Sequence, residues 1–223
     1  MEFVNEKEFQ NALDYIEVVF TLGGLSECGK TTAGIYLESL PLNIKRYKII
    51  QIEREMMLER GFDLSNGMKD EHFLELYDES KCEEVFKEFV VRLVEHLKRD
   101  NLRRVSIESL YRAPFGAFLK KYLGNRCANI YIEAPIEVRV KRQLCKVSSE
   151  AHENEKISYE EMLARVLQKD FFKEQHRASE CKVIADYVVD NNENIGKQLF
   201  LDVIEKIAVE TITHSQVNIS KKE

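Results

Sequence analysis

The sequence predicts an α/β domain built on a five-stranded parallel sheet with helices on both faces. Three observations predict it. Short β-rich apolar runs alternate with helical segments along the whole chain. Gly24-Leu25-Ser26-Glu27-Cys28-Gly29-Lys30-Thr31 fits G-x-x-x-x-G-K-[ST] without a mismatch, between a strand and a helix. A length of 223 residues suits one domain, 1–223, with a small insertion.

The elements follow in order. Residues 3–14 read as a short helix leading into an apolar run of strand length, 15–22. After the glycine-rich loop, Ile35, Tyr36, Leu37 and Leu40 suit a helix that ends before Pro41. Residues 47–52 are a second strand, and 53–60 a helix stopped by Gly61. A polar stretch, 61–71, holds the turn pair Asn66-Gly67. Residues 81–99 form the clearest amphipathic helix, with Val85, Phe86, Phe89, Val90, Leu93, Val94 and Leu97 on its core face. The third strand is 104–108, followed by a helix from Pro114 to about Gly124. The fourth is 128–133, and the helix after Pro135 carries Arg139 and Arg142. Residues 146–157 lack an apolar period and read as a mobile loop, and 158–180 are mostly helical. The fifth strand is 183–189, interrupted by polar Asp186. Ile195, Leu199, Val203 and Ile207 repeat every four residues in a last helix, with the final ten or so residues frayed. Crossovers are expected to be right-handed, and the ligand to sit at the carboxyl ends of the strands.

The loop motif carries chemistry because each position answers a need. Gly24 and Gly29 let the backbone wrap an anion. Amides from Ser26 through Thr32 are the candidate phosphate donors: Ser26, Glu27, Cys28, Gly29, Lys30, Thr31 and Thr32. Lys30 reaches the β- and γ-phosphates, and the Thr31 hydroxyl ligates Mg²⁺. The expected cofactors are ATP and Mg²⁺. Cys28 is either a small residue that fits the loop or, close to Lys30 and a helix N-terminus, an activated thiol that ATP would shield.

Composition excludes other classes. A net charge of −6 argues against broad nucleic-acid binding. No apolar run approaches the roughly 20 residues of a membrane span, and the acidic N-terminus is no signal peptide. The cysteines at 28, 82, 127, 145 and 181 form no C-x-x-C pair and read as reduced thiols of a cytoplasmic protein, without zinc. The histidines are dispersed and show no metal-ligand spacing.

Four segments together resemble the nucleoside-monophosphate-kinase-like group of P-loop kinases, especially dephospho-CoA kinases and their uncharacterised relatives. They are the loop, Ile107-Glu108-Ser109-Leu110-Tyr111-Arg112, Ile130-Tyr131-Ile132-Glu133-Ala134-Pro135 with Val138-Arg139-Val140-Lys141-Arg142, and Ala185-Asp186-Tyr187-Val188-Val189-Asp190-Asn191. They span most of the chain in order. The resemblance implies a helical acceptor-binding insertion at about 53–100 and a lid at about 143–157. It implies that Asn191 and Asn192 border the adenine, that Glu53 is the base for a sugar hydroxyl, and that Arg112 binds an acceptor phosphate. Glu108, where the family usually has Asp, would hold Mg²⁺ through a water. Arg139 and Arg142, three apart on one helix face, would clamp the transferring phosphoryl group. The insertion matches no acceptor motif.

The reading is an ATP- and Mg²⁺-dependent small-molecule kinase acting on a nucleotide-like acceptor, either a dephospho-CoA-like hydroxyl or a nucleoside monophosphate. The rivals are a kinase of a non-nucleotide metabolite and a nucleotide-binding regulatory or non-catalytic protein that works through a protein partner. The chain lacks the D-x-x-G and N-K-x-D segments expected of a GTPase switch.

Overall fold

Every residue of the first strand, β1 (Val18–Gly23), is buried in the computed structural model, which describes residues 4–77, 82–150 and 157–219. Burial on both faces marks a central strand of a parallel sheet. The sheet has five strands, all parallel, in the order β2-β3-β1-β4-β5. The others are β2 (Ile44–Lys48), β3 (Arg104–Leu110), β4 (Cys127–Glu133) and β5 (Tyr187–Asp190). The helices are α1 (Glu6–Tyr15), α2 (Lys30–Ser39), α3 (Ile49–Glu59), α4 (Asp70–Leu76), α5 (Cys82–Arg99), α6 (Ala113–Leu123), α7 (Ile136–Glu150), α8 (Tyr159–Gln175) and α9 (Lys197–Ile219).

Alternation along the strands sorts the interior into two cores. Val18, Phe20 and Leu22 pack with Ile130 against α2 and α9. Val19, Val105 and Ile107 face the other way, against α1, α3, α5 and α6. The result is a three-layer α/β/α fold of the P-loop type, as the sequence predicts. Three helices, α3 to α5, occupy the stretch between β2 and β3 where a helical insertion was expected. No helix among the described residues is long and apolar enough to cross a membrane.

Boundaries differ from expectation at several places. The second strand is Ile44–Lys48, so the apolar run 49–52 belongs to α3. Ile49, Ile52 and Met56 are buried at helical spacing, and the Gln51 side-chain Oε1 accepts the Lys48 N–H at 2.9 Å to cap the first turn. The β-branched residues mimic a strand, but burial on one helix face decides. The fifth strand starts at Tyr187, not at 183. Val183 is 85% exposed after a 3₁₀ turn, Ala178–Lys182. Asp186 is the reason: its carboxylate accepts the Asn129 N–H at 2.8 Å and pairs with Lys120 at 2.7 Å, and its own N–H donates to the Asn129 carbonyl at 2.8 Å. The residue that interrupts the apolar run anchors β5 to β4 and α6. Finally, residues 146–150 continue α7 rather than starting a loop. The rest of that expected lid, 151–156, lies outside the described residues. At the chain's end α9 runs on to Ile219, through part of the stretch expected to fray.

Candidate nucleotide-binding site

The loop between β1 and α2 has the geometry its glycines permit. Gly24 has φ +130°, and a Cβ there would stand 2.2 Å from the Ile132 carbonyl oxygen. Gly29 has φ +114°, and a Cβ there would stand 2.2 Å from Asn191 Nδ2. Both positions demand glycine for conformation and for close approach. Lys30 opens α2 and bends back, its Nζ donating to the Gly24 carbonyl at 2.8 Å and to the Leu25 carbonyl. The loop, the first turn of α2 and the ends of the strands border a cavity of about 1100 Å³. Ser26, Glu27, Gly29, Lys30, Thr31 and Thr32 line it. Gly24 and Cys28 do not; Cys28 is 1% exposed, its thiol 3.5 Å from Lys30 Nζ. Burial removes the accessibility that a reactive thiol needs, so Cys28 serves the loop by its backbone and by filling space.

At the floor of the cavity the Thr31 hydroxyl donates to Glu108 Oε1. The other Glu108 oxygen accepts from Arg46 Nη1, on β2, at 2.5 Å. A bulge sets this up. The β1–β3 register slips between Leu22 and Gly23, and Ser109 takes φ +71°. A hydroxyl and a carboxylate oxygen side by side are hard ligands that fit Mg²⁺ with its remaining waters. Among the described residues there is no cluster of three or more His, Cys, Asp or Glu able to hold a metal alone.

The two candidate clamp arginines are engaged elsewhere. Arg139 is 6% exposed and does not line the cavity. Its Nη1 pairs with Asp170 Oδ2 at 2.5 Å and donates to the Ser26 carbonyl at 3.1 Å, while Asp170 Oδ1 accepts the Ser26 N–H at 2.9 Å. The pair grips the backbone of one loop residue from both sides. This corrects the expected catalytic role: Arg139 is a brace for the loop. Arg142 does line the cavity, but its Nη1 donates to the loop carbonyls of Glu27 at 3.5 Å and Cys28 at 3.4 Å. Its Nη2 donates to Asn191 O at 2.9 Å and Oδ1 at 3.1 Å, and Asn191 Nδ2 donates to the Cys28 carbonyl at 2.8 Å. Asn192 Oδ1 accepts the N–H groups of Asn194 and Ile195, shaping the turn before α9. Arg142, Asn191 and Asn192 thus form the wall where the resemblance expects the base, and Arg142 positions that wall rather than clamping a phosphoryl group.

Glu53 is a further correction. It lies inside α3, is 0% exposed, and does not border the cavity. Its Oε1 accepts from Tyr77 and Tyr111 hydroxyls, each at 2.6 Å. Burial pushes its carboxyl above the ordinary range, against the pull of the two tyrosines and Arg112. A group sealed this way cannot meet a substrate hydroxyl. Its linkage is testable. The folded value is raised above the unfolded 4.5, so the wild type loses stability as pH rises through the folded value. Glu53→Gln has no such term. Urea unfolding at pH 4.5 and pH 7 is expected to show the variant gaining on the wild type as pH rises; a variant that falls further behind would refute it.

Arg112 sits one layer behind the cavity. Its guanidinium lies 4.1 Å from the Tyr77 ring and 3.1 Å from His176 Nδ1. Burial and Arg112 itself push His176 down. Phe172, which does line the cavity, packs edge-on against His176 at 4.9 Å. The sequence reading expects a helix over most of 158–180 but gives it no part in the site, and α8 lines the cavity. Met162, Arg165, Lys169, Phe172 and Lys173 face the cavity from it. In all, eight lining residues are Lys or Arg and three are Glu, in a chain of net charge −6. That local excess selects polyanions.

No protein-family model and no curated protein matches the chain. Solved structures do. TT1252 from Thermus thermophilus aligns at 19% identity and a TM-score of 0.50, over 86% of this chain and 97% of that one. An uncharacterised protein from Eubacterium ventriosum aligns at 10% identity and a TM-score of 0.53, over 89% and 99%. A dephospho-CoA kinase from Campylobacter jejuni aligns at 18% identity and a TM-score of 0.42, over 88% and 98%. At such identities the first two alignments show a likeness of fold alone, the α/β/α architecture.

Proposed function

We propose that the protein is a small-molecule kinase that moves the γ-phosphoryl group of ATP, with Mg²⁺, to a nucleotide-like acceptor. One observation carries this reading: a P-loop, an oxygen pair suited to Mg²⁺ and a cation-rich far wall share one cavity of about 1100 Å³, at the upper end of ligand-site sizes. Phosphoryl transfer asks for position and charge neutralisation more than for covalent chemistry, and this cavity offers both.

Each residue then has a task. The amides of the loop and of the first turn of α2 cradle the β-phosphate, where the helix end favours negative charge. Lys30 leaves the Gly24 and Leu25 carbonyls for the phosphate oxygens. Thr31 and Glu108 would hold Mg²⁺, which would supply charge neutralisation at the phosphates. Arg46 keeps Glu108 aimed at that position. The base rests against the Arg142 and Asn191 wall. Lys48, Ser109 and Phe172 border the remaining space, with Arg112 behind. Both acceptor classes, a dephospho-CoA-like hydroxyl and a nucleoside monophosphate, carry phosphate that this end of the cavity suits.

The test is ADP release from MgATP with dephospho-CoA, nucleosides and all nucleoside monophosphates offered singly. Acceptor-dependent release with at least one supports the reading, and release with none removes it. Glu108→Gln is expected to raise the Mg²⁺ concentration for half-maximal turnover by about tenfold or more, since the carboxylate orients the metal's waters. An unchanged Mg²⁺ requirement would remove Glu108 from the metal site.

A further inference from the structure

The cavity face of α8 repeats a cation at every fourth position: Arg165, Lys169 and Lys173. Lys169 pairs with Glu27 at 3.7 Å. Lys173 has no equivalent. Asp170, one turn earlier, is taken by Arg139 and the Ser26 amide. Among the described residues no carboxylate lies within ion-pairing distance of the Lys173 ammonium. Its neighbour along the cavity wall is another amine, Lys30, close enough for each charge to act on the other. Two ammonium groups from separate elements, side by side without an anion, repel each other. Proteins keep such local conflicts where function needs them.

We propose that Lys173 is the second ammonium that grips the terminal phosphate of the bound triphosphate, opposite Lys30, in the role the sequence assigns to Arg139 and Arg142. This rests on the triphosphate reading of the cavity and adds a residue to it. A phosphate entering between the two amines turns their repulsion into two charge-assisted contacts. Arg139 cannot supply the second contact without abandoning Asp170, and Arg142 is turned toward Asn191. Lys173 is the uncommitted cation next to Lys30.

The charge state follows. Burial, then the Lys30 charge, holds Lys173 down to about 8 in the free protein. A phosphate beside it favours the ammonium form, so the bound state keeps its proton to higher pH. Above pH 8 binding therefore takes up a proton, and affinity falls as pH rises. The other groups around Lys173 are Lys30 and Cys28 from the loop and α2, and Asp170, Lys169 and Glu174 on its own helix. Tyr131 and Cys181, which border Cys28 and Lys30, are pushed up to about 12 by burial and stay protonated through this window.

Calorimetric binding of MgATP and MgADP between pH 7 and 9.5 tests the proposal. At pH 7.5, Lys173→Gln is expected to weaken MgATP by about tenfold to hundredfold and MgADP by less than about threefold. Its MgATP affinity should be flat above pH 8, where the wild type declines. Lys173→Arg, charged throughout, should bind MgATP within about fivefold of the wild type and also be flat. Cys28→Ser should keep the decline. Thermal melts without nucleotide should show Lys173→Gln at least as stable as the wild type, because the repulsion is gone. Equal losses for MgATP and MgADP, a decline that survives Lys173→Gln, or one that vanishes in Cys28→Ser would overturn the proposal. A wild type that binds no MgATP would overturn the reading of the cavity and this inference with it.

Discussion

Arg139→Ala is expected to cost the fold about 3–5 kcal/mol, the usual penalty for breaking a buried ion pair by removing one partner. The side chains of Arg139 and Asp170 are 7% and 9% exposed, so this is not a surface pair worth a few tenths. Alanine at 139 leaves the Asp170 carboxylate buried with the Ser26 amide as its remaining donor. It also strands the Ser26 carbonyl. Urea unfolding of the wild type, Arg139→Ala, Asp170→Ala and the double variant would resolve the terms. The double variant should lose clearly less than the sum of the singles, since no unpaired charge remains. A loss below about 1 kcal/mol for Arg139→Ala would show that the pair does not brace the loop.

Lys30→Ala is expected to abolish turnover and weaken MgATP by at least about hundredfold, from the loss of charge-assisted contacts worth roughly 1.5–3 kcal/mol each. The fold should survive. Lys30 is only 6% exposed, but its ammonium donates to loop carbonyls beside an open cavity, where water can replace it. Calorimetry with circular dichroism would check both halves. A folded Lys30→Ala protein that binds MgATP within tenfold of the wild type would remove the P-loop assignment.

What was legible in the sequence is what chemistry constrains locally. The loop octet is readable because a phosphate cradle dictates residue type at four positions of eight. The 81–99 helix is readable because its core face repeats at 3.6, and the structure places α5 at Cys82–Arg99. What was hidden depends on partners far away in the chain. Arg139 and Arg142 look alike in sequence; only Asp170, 31 residues on, makes the first a brace. Glu53 looks like a polar first turn of a helix until Tyr77 and Tyr111 close over it. The spacing of Arg165, Lys169 and Lys173 was visible, but a row of cations on a helix is usually a solvated face, and only the fold turns this one inward. Arg46 had no signal at all: the expected second strand began one residue later, at Tyr47, and only the fold puts Arg46 in β2 beside Glu108.

The stitches that hold the loop have a consequence for how the chain is made. Residues 24–31 leave the ribosome early, yet the atoms that fix their shape come late: Asp170 on the Ser26 amide, Asn191 on the Cys28 carbonyl and Arg142 between them. At roughly 5–20 residues per second, the wait is on the order of 10 s. During that interval the nascent chain carries a complete phosphate motif without the contacts that preorganise it. On the proposed reading, nucleotide capture waits until α8 and Asn191 have emerged, and a product truncated before α8 is expected not to compete with the longer chain for ATP.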